Sequence, residues 1–175
     1  MVEAYIGIGS NLGDRRDLCS RALGLLGLLP HSRLMAYSSA YETAPVGDVG
    51  GPFLNMVARV DTELPVGRLM SILQETERGL GRDIARRTGP RTMDLDLLLY
   101  GDQIIHDGEW VVPHPRLHER RFVLVPLADV TRNLVHPVLG QTVSTLLAAL
   151  HDPHTVRRLD AAIVPWTRDG GLCRT

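Results

Sequence analysis

Apolar and small or polar positions alternate with a period of two over Ala4–Ser10 (AYIGIGS) and again over Phe53–Thr62 (FLNMVARVDT), which predicts two strands with distinct faces. Leu34–Tyr41 (LMAYSSAY) and Met93–Tyr100 (MDLDLLLY) read as two more. Between them the period changes. Leucines recur at helical spacing over Arg15–Leu29, with Asp14 as a candidate N-cap and Pro30 as the stop. A second helix is predicted over Val66–Leu80, with Pro65 at its start. Thr43–Pro52 and Gly81–Pro90 are loops, the first rich in Gly and Pro and the second in arginine. Val111–Pro113 leads into short helical pieces near Leu117–Asp129, and Thr142–Leu150 is a last amphipathic helix. The signal weakens after Pro153. We expect one domain over residues 1–160 and a C-terminal tail over 161–175.

The order β-α-β-β-α-β predicts an α+β fold: a ferredoxin-like sandwich with a mainly antiparallel sheet of four or more strands and helices packed on it. Two strands in succession argue against a doubly wound parallel sheet.

Composition narrows the function. With 175 residues the chain is long enough for a real core, and its net charge of −1 provides no bulk attraction for nucleic acid or an anionic membrane. Cys19 and Cys173 lie far apart and no CxxC occurs, so neither a disulfide framework nor a cysteine zinc site is expected. Met1–Tyr5 does not open a signal peptide, and the apolar runs are too short to span a bilayer; a cytoplasmic protein is expected. All 19 basic residues are arginine, which excludes a Walker A lysine and leaves any phosphate binding to guanidinium groups.

Asp94 and Asp96 are two apart in a strand and therefore share a face, with Met93, Leu95, Leu97 and Leu99 on the other. Carboxylates about 7 Å apart along a strand can hold a hard divalent cation between them. The alternative is a solvated sheet face. Arg91 lies three residues upstream, and Arg78, Arg82, Arg86 and Arg87 precede it. That is the charge layout of a metal-triphosphate site, or else of simple neutralisation of Asp94 by Arg91. Gly7–Gly13 spaces its glycines as GxGxxxG, one residue longer than a dinucleotide fingerprint, and reads as a tight turn. His114 and His118 are four apart, a spacing compatible with a metal pair, although Pro115 places His114 at a helix edge, where it would bond a phosphate or nucleotide or cap the helix. Asn55, beside Phe53, is an amide in an apolar strand, suited to a heterocycle edge or to a buried structural role.

The run Arg87-x-Gly-Pro-Arg-x-x-Asp-Leu-Asp-Leu-Leu strongly resembles the signature of the 6-hydroxymethyl-7,8-dihydropterin pyrophosphokinase family of folate biosynthesis. Further matches are AYIGIGSN, Tyr41-x-Thr43, Phe53-Leu54-Asn55, Gln74-x-x-Glu77, Gly81-Arg82, Val112-Pro113-His114 and Arg120–Pro126, so that residues 3–137 are covered. The resemblance implies transfer of pyrophosphate from ATP to the pterin hydroxymethyl oxygen, with release of AMP. It implies that Asp94 and Asp96 hold two Mg²⁺ ions, and that Arg82 and Arg91 bind the transferring phosphates. Gln74, Glu77, His114 and Arg120 would line the nucleotide side. Thr43, Val46, Phe53, Asn55 and Phe122 would form the pterin pocket, and loops 43–52 and 82–90 would be lids. It further implies a monomer or weak homodimer without a nucleic-acid partner. Thr88 stands where the family often has tryptophan, and Phe53 where tyrosine is common. Two other readings remain open at this point: a Mg²⁺-dependent nucleotide hydrolase, and an RNA-binding ferredoxin-like module.

Overall fold

The structure, a computed structural model, describes residues 1–44, 50–82, 91–108 and 110–167. The elements run β1 (Val2–Ser10), α1 (Arg15–Gly27), β2 (Ser32–Tyr37), β3 (Tyr41–Thr43), β4 (Phe53–Thr62), α2 (Val66–Gly79), β5 (Asp94–Tyr100), β6 (Ile105–His106), β7 (Val111–Val112), α3 (Arg121–Val130), α4 (Val143–Ala149) and β8 (Val156–Arg158). Asp14 caps α1 as expected, its carboxylate accepting the Asp17 N–H at 3.1 Å.

The main sheet has the order β5-β1-β4-β3-β8, with β2 also pairing with β4, and its pairings are antiparallel. The predicted second strand is divided: β2 pairs with Ala58–Thr62 and β3 with Phe53–Asn55 of the same long strand. Taken as one broken strand they complete the ferredoxin-like order, and the fold expectation holds.

Alternation sorts the core into two layers. Ile6, Ile8, Leu54, Met56, Leu95 and Leu97 pack against α1 and α2. Tyr5, Val57 and Leu98 pack against α3 and α4 on the opposite face. This second face also carries the aspartates, so it is not a solvated sheet face. One detail of the strand reading is corrected here. Between Tyr5 and Ile6 the β1–β5 register slips, opposing Tyr5 to Leu99 and Ile6 to Leu97. The bulge leaves Leu98 unpaired and reverses the alternation beyond it, so that Leu99 joins the aspartate face while Tyr100 joins the other.

The C-terminal segment carries more structure than its pattern suggested. β8 adds to the sheet beside β3, and Leu159 N–H donates to the Ala40 carbonyl at 2.8 Å. Ile163 is buried, and Trp166 N–H donates to the Ser20 carbonyl on α1 at 3.0 Å. Gly24 makes this close approach possible, because a Cβ there would lie 2.3 Å from the Trp166 carbonyl oxygen. Packing therefore continues past residue 160 as far as the described chain runs.

Candidate active site

α3 and α4 cover only part of their face of the sheet. Over the remainder lies a cavity of about 620 Å³, floored by Gly7 and Gly9 of β1, Asn55 of β4, and Asp94, Asp96 and Leu98 of β5. Gly7 and Gly9 lie within β1, as the alternation over Ala4–Ser10 predicts, opposite Val57 and Asn55 on one side and Asp96 and Asp94 on the other, and the turn read for the Gly7–Gly13 run is confined to its end, where Gly13 has a φ of 74°. A Cβ at Gly9 would stand 3.3 Å from Asn55 Oδ1 and 3.8 Å from Asp94 Cβ. The glycines thus leave an open channel joining the β5 side of the cavity to the β4 side.

Charge collects on the β5 side. Asp94 is held at both oxygens: Oδ1 lies 3.0 Å from Arg82 Nη1, and Oδ2 accepts from Arg91 Nη1 at 2.7 Å. Asp96 has no hydrogen-bond or ion-pair partner among the described residues. Burial, reinforced by the neighbouring Asp94 charge, pushes its carboxyl up to about 6. A half-buried carboxylate beside another, with no ion-pair partner of its own among the described residues, is a donor set that fits a hard divalent ion. Arg91, Arg116 and Arg120 also line the cavity. Arg120 lies over the Phe122 ring, 5.6 Å from its centroid, and so links the charged side to the aromatic one.

The β4 side is built for a flat polar ring. Phe53 and Phe122 line it together with Thr43 and Asn55. Asn55 Nδ2 donates to Thr43 Oγ1 at 2.8 Å. That bond fixes the amide, leaving its carbonyl and second N–H for a ligand edge.

Eight of the residues singled out in the sequence therefore meet in one cavity: Thr43, Phe53, Asn55, Arg91, Asp94, Asp96, Arg120 and Phe122. Arg82 stands behind them as the partner of Asp94. Glu77 is buried beneath β5, where its Oε1 accepts the Leu95 N–H at 2.7 Å and pairs with Arg82. Gln74 is exposed on α2. His114 is not part of the lining; its N–H donates to the Leu98 carbonyl at 2.9 Å, and its Nδ1 accepts the Arg116 N–H at 3.2 Å. Burial and the Arg120 charge lower it to about 4, so the ring is neutral near pH 7, and the proton on Nε2 is free to be donated. His118 does not turn toward the aspartates with it but packs edge-on against the His136 ring. Among the described residues no three His, Cys, Asp or Glu side chains gather as a metal cluster. Val46, Arg86 and Arg87 lie outside the described residues, as do most of the two loops expected to be lids.

The sequence reading missed Glu119 and residues 151–154 in the lining. Glu119 sits in the Leu117–Glu119 turn, and its exposed, charged pattern carried no signal. The 151–154 turn reaches the cavity only through long-range pairing.

Comparison with known proteins shows the family. The profile of the 7,8-dihydro-6-hydroxymethylpterin-pyrophosphokinase family matches residues 5–132. The chain belongs to this family. It is 40% identical over 161 residues to the 2-amino-4-hydroxy-6-hydroxymethyldihydropteridine pyrophosphokinase of Methylorubrum extorquens, covering 91% of this chain and 100% of that one. It is 42% identical over 132 residues to the enzyme of the same name from Bacillus subtilis, covering 75% and 79% respectively. Among solved structures, an HPPK-DHPS crystallised with substrates superimposes with a TM-score of 0.68 at 12% identity, covering 85% of this chain and 43% of the other. A Plasmodium falciparum HPPK-DHPS gives 0.66 at 15% identity, covering 84% and 41%. At such identities these structures establish the shared fold, and this pyrophosphokinase-family chain spans under half of each.

Proposed function

We propose that this chain transfers the pyrophosphoryl group of ATP to the hydroxymethyl oxygen of 6-hydroxymethyl-7,8-dihydropterin, releasing AMP, as a step of folate biosynthesis. The observation that carries the proposal is the joining of two unlike subsites, across the side-chain-free Gly7 and Gly9, in one cavity: a carboxylate pair with arginines on β5, and an amide flanked by two phenylalanines on β4 and α3. Water, the second reactant of a hydrolase, needs no aromatic subsite of its own.

In this reading the pterin lies between Phe53 and Phe122 with its donor–acceptor edge on Asn55. Asp94 and Asp96 would hold two Mg²⁺ ions with the triphosphate; bound there, they would neutralise phosphate charge and acidify the hydroxymethyl group. Arg82 and Arg91 have a second task. Both now neutralise Asp94, and each exchanges that carboxylate for a phosphate oxygen as ATP enters, freeing Asp94 for metal. Arg120 and the neutral His114 supply further donors to the nucleotide, Glu77 keeps Arg82 in reach, and Gln74 lies at the outer edge of that side. The hydroxymethyl oxygen bonds to the β-phosphorus and loses its proton, the bond from that phosphorus to the α-phosphate oxygen breaks, and AMP leaves. The protein acts in the cytoplasm as a monomer or weak homodimer.

The test is AMP release from ATP and Mg²⁺ with and without the reduced pterin. AMP and pterin diphosphate in equal amounts, dependent on pterin, support the proposal. ADP or orthophosphate formed equally well without pterin points instead to a hydrolase. Micromolar binding of single-stranded RNA at moderate salt would return the RNA-binding reading.

A further inference from the structure

We infer that His154, fixed by Asp152, is a specificity-determining contact for the heterocyclic substrate; the inference rests on the function proposed above. The turn from His151 to His154 lines the same cavity as Phe53, Asn55 and Phe122. It is tied at both ends to residues of the aromatic subsite. At one end, Asp152 Oδ2 accepts the N–H of Arg121, the neighbour of Phe122, at 2.9 Å, and the Arg121 Nε donates back to the Asp152 carbonyl at 3.2 Å. At the other, Val156 of β8 pairs with Thr43, the residue that fixes the Asn55 amide. The segment therefore spans the side of the cavity left open between α3 and the sheet edge.

Within this turn, Asp152 orients one imidazole. Its Oδ1 accepts the His154 N–H at 2.9 Å and lies 2.5 Å from His154 Nδ1. Burial acts to raise the Asp152 carboxyl, but the backbone N–H groups of Arg121 and His154 together with the imidazole outweigh it and hold the group below its usual range. An ionised Asp152 keeps the ring proton on Nδ1. With Nδ1 turned to Asp152, the ring nitrogen left for a ligand is Nε2, which accepts when Nδ1 holds the ring's proton. A planar heterocycle with N–H and amino groups on its rim offers the matching donors, whereas the triphosphate offers none. The nucleotide's anionic groups belong on the β5 side, where the arginines are, and the 151–154 segment is tied to Arg121 and Thr43 beside the subsite proposed for the pterin, so His154 serves the pterin rather than ATP.

The experiment is steady-state kinetics on the full chain with each substrate varied in turn, for wild type, His154→Ala and His154→Gln, with melting temperatures recorded alongside. Alanine removes the acceptor; glutamine restores an acceptor at similar reach. His154→Ala should raise the pterin KM about tenfold, the net worth of one hydrogen bond to substrate, with the ATP KM within about twofold; His154→Gln should recover most of the loss. A pterin KM within about twofold of wild type in His154→Ala, an equal rise in both KM values, or alanine and glutamine behaving alike would each overturn the inference. Wild-type turnover of pterin with a normal His154→Ala leaves the proposed function standing and removes only this inference. Absence of pterin turnover in wild type removes both.

Discussion

Glu77→Gln keeps the shape of a side chain that joins α2 to β5 while deleting its charge. Glu77 is 5% exposed, and burial pushes its carboxyl from 4.5 up to about 7 despite the Leu95 N–H and the Arg82 guanidinium. The raised value fixes the sign of the pH dependence. Between pH 4.5 and 7 the folded protein keeps a proton that the unfolded chain releases, so this group's contribution to stability falls as pH rises through that window and is flat above it. A gap of about 2.5 pH units at ~1.36 kcal/mol each bounds the loss at about 3 kcal/mol. The glutamine carbonyl can still accept the Leu95 N–H, so the variant escapes the loss without orphaning a buried donor. The assay is urea denaturation of both proteins from about pH 4.5 to 8, without nucleotide or Mg²⁺. Relative to wild type, the variant should gain about 2–3 kcal/mol across that range. A difference between the two proteins that stays constant with pH would refute the reasoning.

Other perturbations have equally definite outcomes. Asp96→Asn should lower AMP formation by ~1,000-fold or more, because a metal-holding carboxylate supplies several kcal/mol of transition-state stabilisation; single-turnover kinetics reads the loss. Asn55→Ala should raise the pterin KM by roughly ten- to a hundredfold, the cost of unpaired hydrogen bonds to the ring edge, with little change in the ATP KM. Gly9→Ala, whose Cβ would meet Asn55 Oδ1 at 3.3 Å, should weaken pterin binding by about tenfold in an equilibrium titration while changing stability by no more than about 1 kcal/mol. Gly24→Ala places a Cβ 2.3 Å from the Trp166 carbonyl oxygen and should destabilise by about 1–3 kcal/mol in thermal unfolding, with turnover per folded molecule retained.

The sheet and the first two helices were legible because their periodicity is local: Ile6, Ile8, Met56 and Leu95 mark one face through alternation alone. Alternation also put Asp94 and Asp96 on one side of their strand. It failed at Leu99, beyond the bulge, because leucine occupies both faces there, and a bulge between two apolar layers leaves no mark in a hydrophobic pattern. Residues 151–158 were illegible for a different reason. Asp152, His154 and Val156 acquire their places from Arg121 and Thr43, which lie far away in sequence, and no short-range period records such pairing. Likewise, spacing gave no means of distinguishing an Asp94 paired with arginine from one holding metal, and the structure has it paired with both Arg82 and Arg91. The resemblance supplied the pterin; Thr43, Phe53, Asn55 and Phe122, which it assigned to that ring, line one cavity over the bare floor at Gly7 and Gly9.

The central claim is that the carboxylate pair and the aromatic subsite work together on one transfer. Following γ-labelled ATP through a single turnover with the reduced pterin and Mg²⁺ tests it most directly. The account predicts that the label leaves ATP on the pterin product, in step with unlabelled AMP and without orthophosphate. Label recovered as orthophosphate alongside ADP, whether or not pterin is present, would contradict it.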